Sequence, residues 1–127
     1  MKKNKLNIAI IGLGNIGSYL YKYLQLNKKI LSKKNNCIPE VIYVSAKNRN
    51  KKRKIKIKKN KWLKNYLDST SSKDVDIIVE LIGGAEGPAK KLVFQALKNK
   101  KHVVTANKAL IAKYGDMLSK IAEDNNV

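Results

Sequence analysis

The apolar run NIAII, residues 7–11, passes directly into GLGNIG, residues 12–17, and from there into a stretch with helical periodicity. Few architectures accept that order. A continuous apolar run bounded by a turn reads as a strand buried on both faces. Glycines spaced G-x-G-x-x-G between a strand and a helix match the opening of a βαβ unit. Each glycine has a separate task. Gly12 permits the tight turn, Gly14 lets the backbone approach a pyrophosphate, and Gly17 lets the helix press on the strand.

The rest of the chain continues the alternation. Asn15 to about Leu26 reads as a helix with Ile16, Leu20, Tyr23 and Leu24 on its inner face. NKKILSKKNNC, residues 27–37, is a polar connection without a clear period. EVIYVSA (40–46), introduced by Pro39, is a second strand rich in β-branched and aromatic residues. KIKIK (54–58) alternates with period two and predicts a short exposed strand. Trp62, Leu63, Tyr66 and Leu67 are expected to anchor the following segment, and STSSK (69–73) reads as a loop. DVDIIVELIGG (74–84) is a third buried strand ending in a glycine pair.

Pro88 suits the first turn of a helix whose inner face is Ala89, Leu92, Val93, Ala96 and Leu97. HVVTA (102–106) is a fourth strand, with His102 a structural residue at its buried start. A last helix runs from about Lys108 to Glu123, with Leu110, Tyr114, Met117 and Ile121 on one stripe. The predicted class is therefore α/β: a Rossmann-type doubly wound parallel sheet with helices on both faces.

With 127 residues the chain makes one domain or part of one. No apolar run approaches the roughly 20 residues of a membrane span, and MKKNK leads into a strand rather than a signal-peptide core. The single Cys37 forms no internal disulfide, which fits a reducing, cytoplasmic setting, and no metal is expected. The charge is lopsided, with 28 basic residues against 9 acidic and a net of +19. One reading is a nucleic-acid partner for the cationic run 47–64. The plainer one is compositional bias. Arginine occurs only at 49 and 53, whereas phosphate-gripping surfaces favour its bidentate fork.

In a doubly wound sheet, ligands gather at the carboxyl ends of the strands. The first carries Gly12, Leu13, Gly14, Asn15, Ile16 and Gly17, where a helix N-terminus offers N–H groups to phosphates. The second carries SAKNR (45–49). An acidic residue there would favour NAD by bonding the ribose hydroxyls. Lys47 and Arg49 instead place cations where a 2′-phosphate would sit, so the residues lean towards NADP, with NAD still possible. The third carries Gly83 and Gly84, which would allow close approach to the nicotinamide half. The fourth carries Thr105, Asn107 and Lys108, whose ammonium could hold a substrate carboxylate or polarise a carbonyl.

NIAIIGLGNIGSYL, VSAKNR, DVDIIVELIGGAEGPAK and KHVVTANKALIAKYGD, in that order, resemble the N-terminal nucleotide-binding domain of homoserine dehydrogenase. The pair ELIGG and KHVVTANKALIA is the specific part, and the likeness covers about residues 7–123. It implies an NAD(P)-dependent oxidoreductase that interconverts L-homoserine and L-aspartate 4-semialdehyde on the route to threonine, methionine and isoleucine. It also implies that Lys47 replaces an arginine that contacts the NADP phosphate, and that Lys108 faces nicotinamide and substrate. Family members are much longer, so residues 1–127 are expected to be an incomplete enzyme that binds cofactor and turns over poorly alone. Partners would be the small-molecule substrate and either a second copy or a missing catalytic half. The alternatives are a basic nucleic-acid-binding module and a Rossmann nucleotide-binding domain without chemistry.

Overall fold

A computed structural model describes residues 4–127. The reading of the basic start falls partly on residues 1–3, which lie outside the described residues. Strand β1 (Asn4–Ile11) leads into helix α1 (Asn15–Leu26), followed by α2 (Lys28–Asn35) and β2 (Cys37–Ser45). A 3₁₀ turn (Lys59–Lys61) and the single-turn helix α3 (Asp68–Ser71) precede β3 (Ile77–Glu80), α4 (Pro88–Lys98), β4 (His102–Thr105) and α5 (Lys108–Asp124). The strands form one parallel sheet in the order β2-β1-β3-β4. The chain moves outward from β1 to β2, then returns to the other side of β1 to lay down β3. The switch point of the sheet therefore lies between the carboxyl ends of β1 and β3, where open α/β sheets bind ligands.

The continuous apolar character of β1 follows from cover on both faces. Ile8 and Ile10 pack with Tyr21 of α1 and with Val41 and Val44 of β2. Ala9 and Ile11 pack on the opposite face with Ile78 and with Leu92 and Ala96 of α4. Helices thus cover both faces, as the alternation predicts. Val41 and Val44, three apart, share a face because the register shifts there: Ile8 pairs with Val41 but Ala9 with Tyr43. The extra residue is a β-bulge, which resets the two-residue period. Pro39 is accommodated because β2 has β1 on one side only.

A third cluster joins Val93 and Leu97 of α4 to Leu110 and Leu118 of α5. All five predicted inner residues of α4 are buried. Trp62 packs on the α1 face, while Leu63, Tyr66 and Leu67 pack on the α4 face, so the expected anchors hold.

Several expectations are corrected. KIKIK (54–58) forms no strand. Ile55 and Ile57 rest against the α1-side core, and among the described residues the outer edge of β2 is met by an isolated bridge between Val44 and Trp62. The alternation reflects a chain lying along the core without a ladder partner. The polar connection holds α2, which ends at Asn36 in a left-handed conformation (φ 51°). α3 replaces the start of the loop at 69–73.

His102 is exposed rather than buried. It pairs with Ile77 on the side of the sheet where α1 lies over β1 and β2 but not over β4, and Val104 on the same row is 56% exposed. The inner face of α1 runs through Gly17, Leu20, Tyr21 and Leu24, leaving Ile16 and Tyr23 exposed. The stripe of α5 centres on Leu110 and Leu118, leaving Met117 exposed. Among the described residues no helix is long and apolar enough to cross a membrane.

Candidate dinucleotide site at the strand ends

The glycine turn is built by close contact. Gly12 has φ +107°, and a β-carbon there would lie 2.6 Å from both the carbonyl carbon and oxygen of Leu81. Its N–H donates to the Ser45 carbonyl (2.9 Å), while the Leu81 N–H donates to the Ile11 carbonyl (2.8 Å). The turn is thus wedged between the ends of β2 and β3. A β-carbon on Gly17 would come within 2.0 Å of the Gly12 carbonyl oxygen, so only glycine lets α1 sit this close. Gly14 differs. It is exposed, its missing β-carbon faces open space with no atom within 4 Å, and it caps α1 without a side-chain acceptor for the first-turn N–H groups. Two glycines therefore satisfy packing, and the third leaves room for a ligand at a helix N-terminus. The arrangement fits a diphosphate, because anions are favoured where unpaired N–H groups and the positive end of the helix dipole coincide.

Beside this turn, Arg53 organises the basic segment. Its Nε donates to the Leu13 carbonyl (3.1 Å), and its terminal nitrogens donate to the carbonyls of Asn48 (2.8 Å), Arg49 (3.2 Å) and Lys51 (3.1 Å). One guanidinium curls residues 48–53 into a loop and pins it to the glycine turn. The Arg49 guanidinium lies 5.2 Å from the centre of the Trp62 ring and that of Arg53 lies 5.7 Å away. Lys47 and Arg49 stand exposed at the end of β2. This packing also weakens the nucleic-acid reading. Trp62 is half-buried and covered by two arginines, so it is not a free stacking platform for a base.

The ends of β3 and β4 are joined through Glu80, which is fully buried. Glu80 Oε1 accepts the N–H groups of Ile82 (2.6 Å) and Gly83 (3.0 Å), while Oε2 accepts the Thr105 hydroxyl (2.6 Å). Thr105 Oγ1 in turn accepts the Asn107 N–H (3.0 Å). Asn107 bonds back to the Gly84 carbonyl through Nδ2 (2.7 Å) and caps α5 by accepting the Leu110 N–H (3.1 Å). Gly83 and Gly84 both hold left-handed φ angles, +86° and +84°, a turn that β-carbons would strain. Lys108 is exposed as the first residue of α5.

On the loop that follows, Glu86 accepts from Lys113 (2.7 Å), from the Tyr114 hydroxyl and from Lys90 (3.1 Å). Those hydrogen bonds lower its pKa to about 2. They also raise the pKa of Lys90, whose hydrogen bonds to Tyr114 and Glu86 favour its charged form, and of Lys113 through Glu86.

The predicted residues thus gather at the carboxyl ends of the four strands. Gly12–Gly17 and Gly83–Gly84 meet at the switch point, Thr105 and Lys108 follow on the β4 side, and Lys47 and Arg49 follow on the β2 side. Thr105 has its hydroxyl engaged inside the protein. Sequence reasoning missed Arg53 and Glu80. Glu80 carried a signal, being a carboxylate inside an otherwise apolar strand; Arg53 was hidden in a run of cations. A cavity of about 610 Å³ lies elsewhere, against the first half of β2. There Lys61 donates to the Val41 carbonyl (2.7 Å), and burial lowers its pKa.

The family model for the homoserine dehydrogenase NAD binding domain matches residues 12–127. The chain belongs to this family. It is 36% identical over 120 residues to the homoserine dehydrogenase of Bacillus subtilis, covering 94% of this chain and 28% of that protein. It is 37% identical over 124 residues to that of Neisseria gonorrhoeae, covering 95% and 27%. The fold matches a crystal structure of S. aureus homoserine dehydrogenase with a TM-score of 0.86 at 36% identity, over 98% of this chain and 32% of that one. The chain therefore spans under a third of the length of these homoserine dehydrogenases, and the matched part is the nucleotide-binding domain.

Proposed function

We propose that residues 1–127 are the NAD(P)-binding domain of a homoserine dehydrogenase, serving the interconversion of L-homoserine and L-aspartate 4-semialdehyde in the biosynthesis of threonine, methionine and isoleucine. The observation that carries this reading is the open Gly14 backbone at the start of α1, beside the switch point of the sheet. Leu13, Gly14, Asn15 and Ile16 line the diphosphate turn, and Gly12 and Gly17 shape it. Gly83 and Gly84 border the nicotinamide half.

The bound nicotinamide supplies the hydride chemistry. The chain's own residues bind and orient. Lys108, exposed at the start of α5, offers an ammonium to a substrate carboxylate or carbonyl, which would stabilise negative charge there. Arg49, on the loop that Arg53 holds against the glycine turn, and Lys47 just before it support a preference for NADP. Lysine lacks the bidentate fork of arginine, so the preference over NAD is modest. Cytoplasmic residence accords with such chemistry. Residues outside this segment complete catalysis. Ile16, Tyr19 and Leu26, exposed on α1, support self-association or cover by another part of the enzyme.

Fluorescence titrations with NADPH and NADH at about 150 mM salt test this reading. Both ligands saturate, NADPH binds more tightly, and Lys47→Glu reverses the order. Absence of saturable binding by either refutes the reading.

A further inference from the structure

The cofactor reading gives no task to Glu80. This carboxylate is wholly buried, and its hydrogen bonds come from two backbone N–H groups and a hydroxyl, with no cation among them. Taking a carboxylate out of water is costly unless its partners are well placed. A strand that needed only to fill the core would carry another apolar residue here, as Ile78 and Val79 do before it.

What Glu80 grips explains its presence. Oε1 holds the loop 82–84 from its buried side, by Ile82 and Gly83. The space beside Gly83 stays open, with nothing within 4 Å of a β-carbon there. Oε2 holds Thr105, whose oxygen fixes the N–H of Asn107, the residue immediately before Lys108. Asn107 closes the circuit at the Gly84 carbonyl. One carboxylate thus sets the separation between the glycine pair and the start of α5, and its hydrogen bonds go to neither the glycine turn of β1 nor the Arg53 loop.

We propose that Glu80 is a positioning residue that holds the Gly83–Gly84 loop and the Lys108 end of α5 in register for the nicotinamide half of the dinucleotide. This rests on the cofactor reading above. Its effect falls mainly on one half of the site, because the hydrogen bonds of its carboxylate all lie on the β3 and β4 side, whereas Arg53 organises the adenosine side from beyond β2.

The test is calorimetric titration of the 127-residue chain and its Glu80→Gln and Thr105→Val variants with NADPH, and with 2′,5′-ADP and ADP as probes of the adenosine half. Circular dichroism confirms folding. The expected result is a loss of NADPH affinity of about tenfold, equivalent to about 1.4 kcal/mol, in both variants, with binding of the adenosine probes unchanged. Glutamine keeps an acceptor for the loop but turns a donor towards Thr105, and valine removes the Thr105 contact alone. If Glu80→Gln fails to fold, Thr105→Val decides. Equal weakening of all ligands, unchanged NADPH binding, or unfolding of both variants would overturn the proposal and reduce Glu80 to a structural residue. A wild-type chain that binds none of the ligands refutes the cofactor reading itself.

Discussion

The Nε of Arg53 lies 3.1 Å from the carbonyl oxygen of Leu13, forty residues earlier, and joins the basic loop to the glycine turn. With its bonds to Asn48, Arg49 and Lys51, this one side chain gives a lysine-rich segment a defined shape. Arg53→Ala removes all four contacts. Because the site is partly exposed, the expected loss of stability is about 1–2 kcal/mol. NADPH binding weakens more than NADH binding, because Arg49 loses its fixed loop and Lys47 the anchored chain beside it. Thermal melts and paired titrations read both effects, and Arg53→Lys restores neither, since a single ammonium cannot replace the fork.

The three glycines of the turn separate into two kinds. Gly12→Ala and Gly17→Ala push a methyl group into backbone atoms at 2.6 Å and 2.0 Å, and Gly12 also has a positive φ. Each is expected to cost about 3 kcal/mol or more. Gly14→Ala meets nothing within 4 Å and keeps an accessible φ of −75°, so its stability shifts by less than about 1 kcal/mol. Gly14→Val is expected to fold with a normal melt while binding NADPH at least about tenfold more weakly. Loss of stability in the Gly14 variants would show that this glycine, too, serves packing.

Glu86 adds a small acid-sensitive contribution to stability, screened by solvent because its side chain is exposed. Hydrogen bonds from Lys113, Tyr114 and Lys90 lower its pKa from 4.5 to about 2, so the folded form favours the carboxylate. The stabilisation is fully present above the ordinary value of 4.5 and is lost as pH falls towards 2. Glu86→Gln flattens the dependence of melting temperature on pH across that window. An unchanged profile contradicts the assignment. At the alkaline end the sign reverses. The raised pKa values of Lys90 and Lys113 give a contribution present below 10.5 and lost as pH climbs through the raised values.

Much of this fold was legible because β1 and β3 are apolar runs followed closely by glycines, and β2 is rich in β-branched and aromatic residues, although it begins two residues before Pro39. The α4 stripe could be read residue by residue, since that helix is covered along its whole inner face. α1 could not, because contact between Gly17 and the Gly12 carbonyl rotates the helix so that Tyr21, not Ile16, points inward. His102 and Val104 had strand-like sequence but lie where α1 does not reach. The glycine turn and the strand-end residues were visible as local motifs. Arg53 and Glu80 act across 40 and 25 residues, and no local pattern announces which lysine-run arginine or strand carboxylate will find a distant carbonyl or hydroxyl.

The most direct test of dinucleotide binding at the Gly14 turn is the melting temperature of the 127-residue chain with and without NADPH and NADH. At one hundred times the dissociation constant, a ligand specific for the folded chain adds about 2.7 kcal/mol, so the expected result is a rise of several degrees, which Gly14→Val cuts by about half or more. A melting temperature that neither cofactor moves would contradict it.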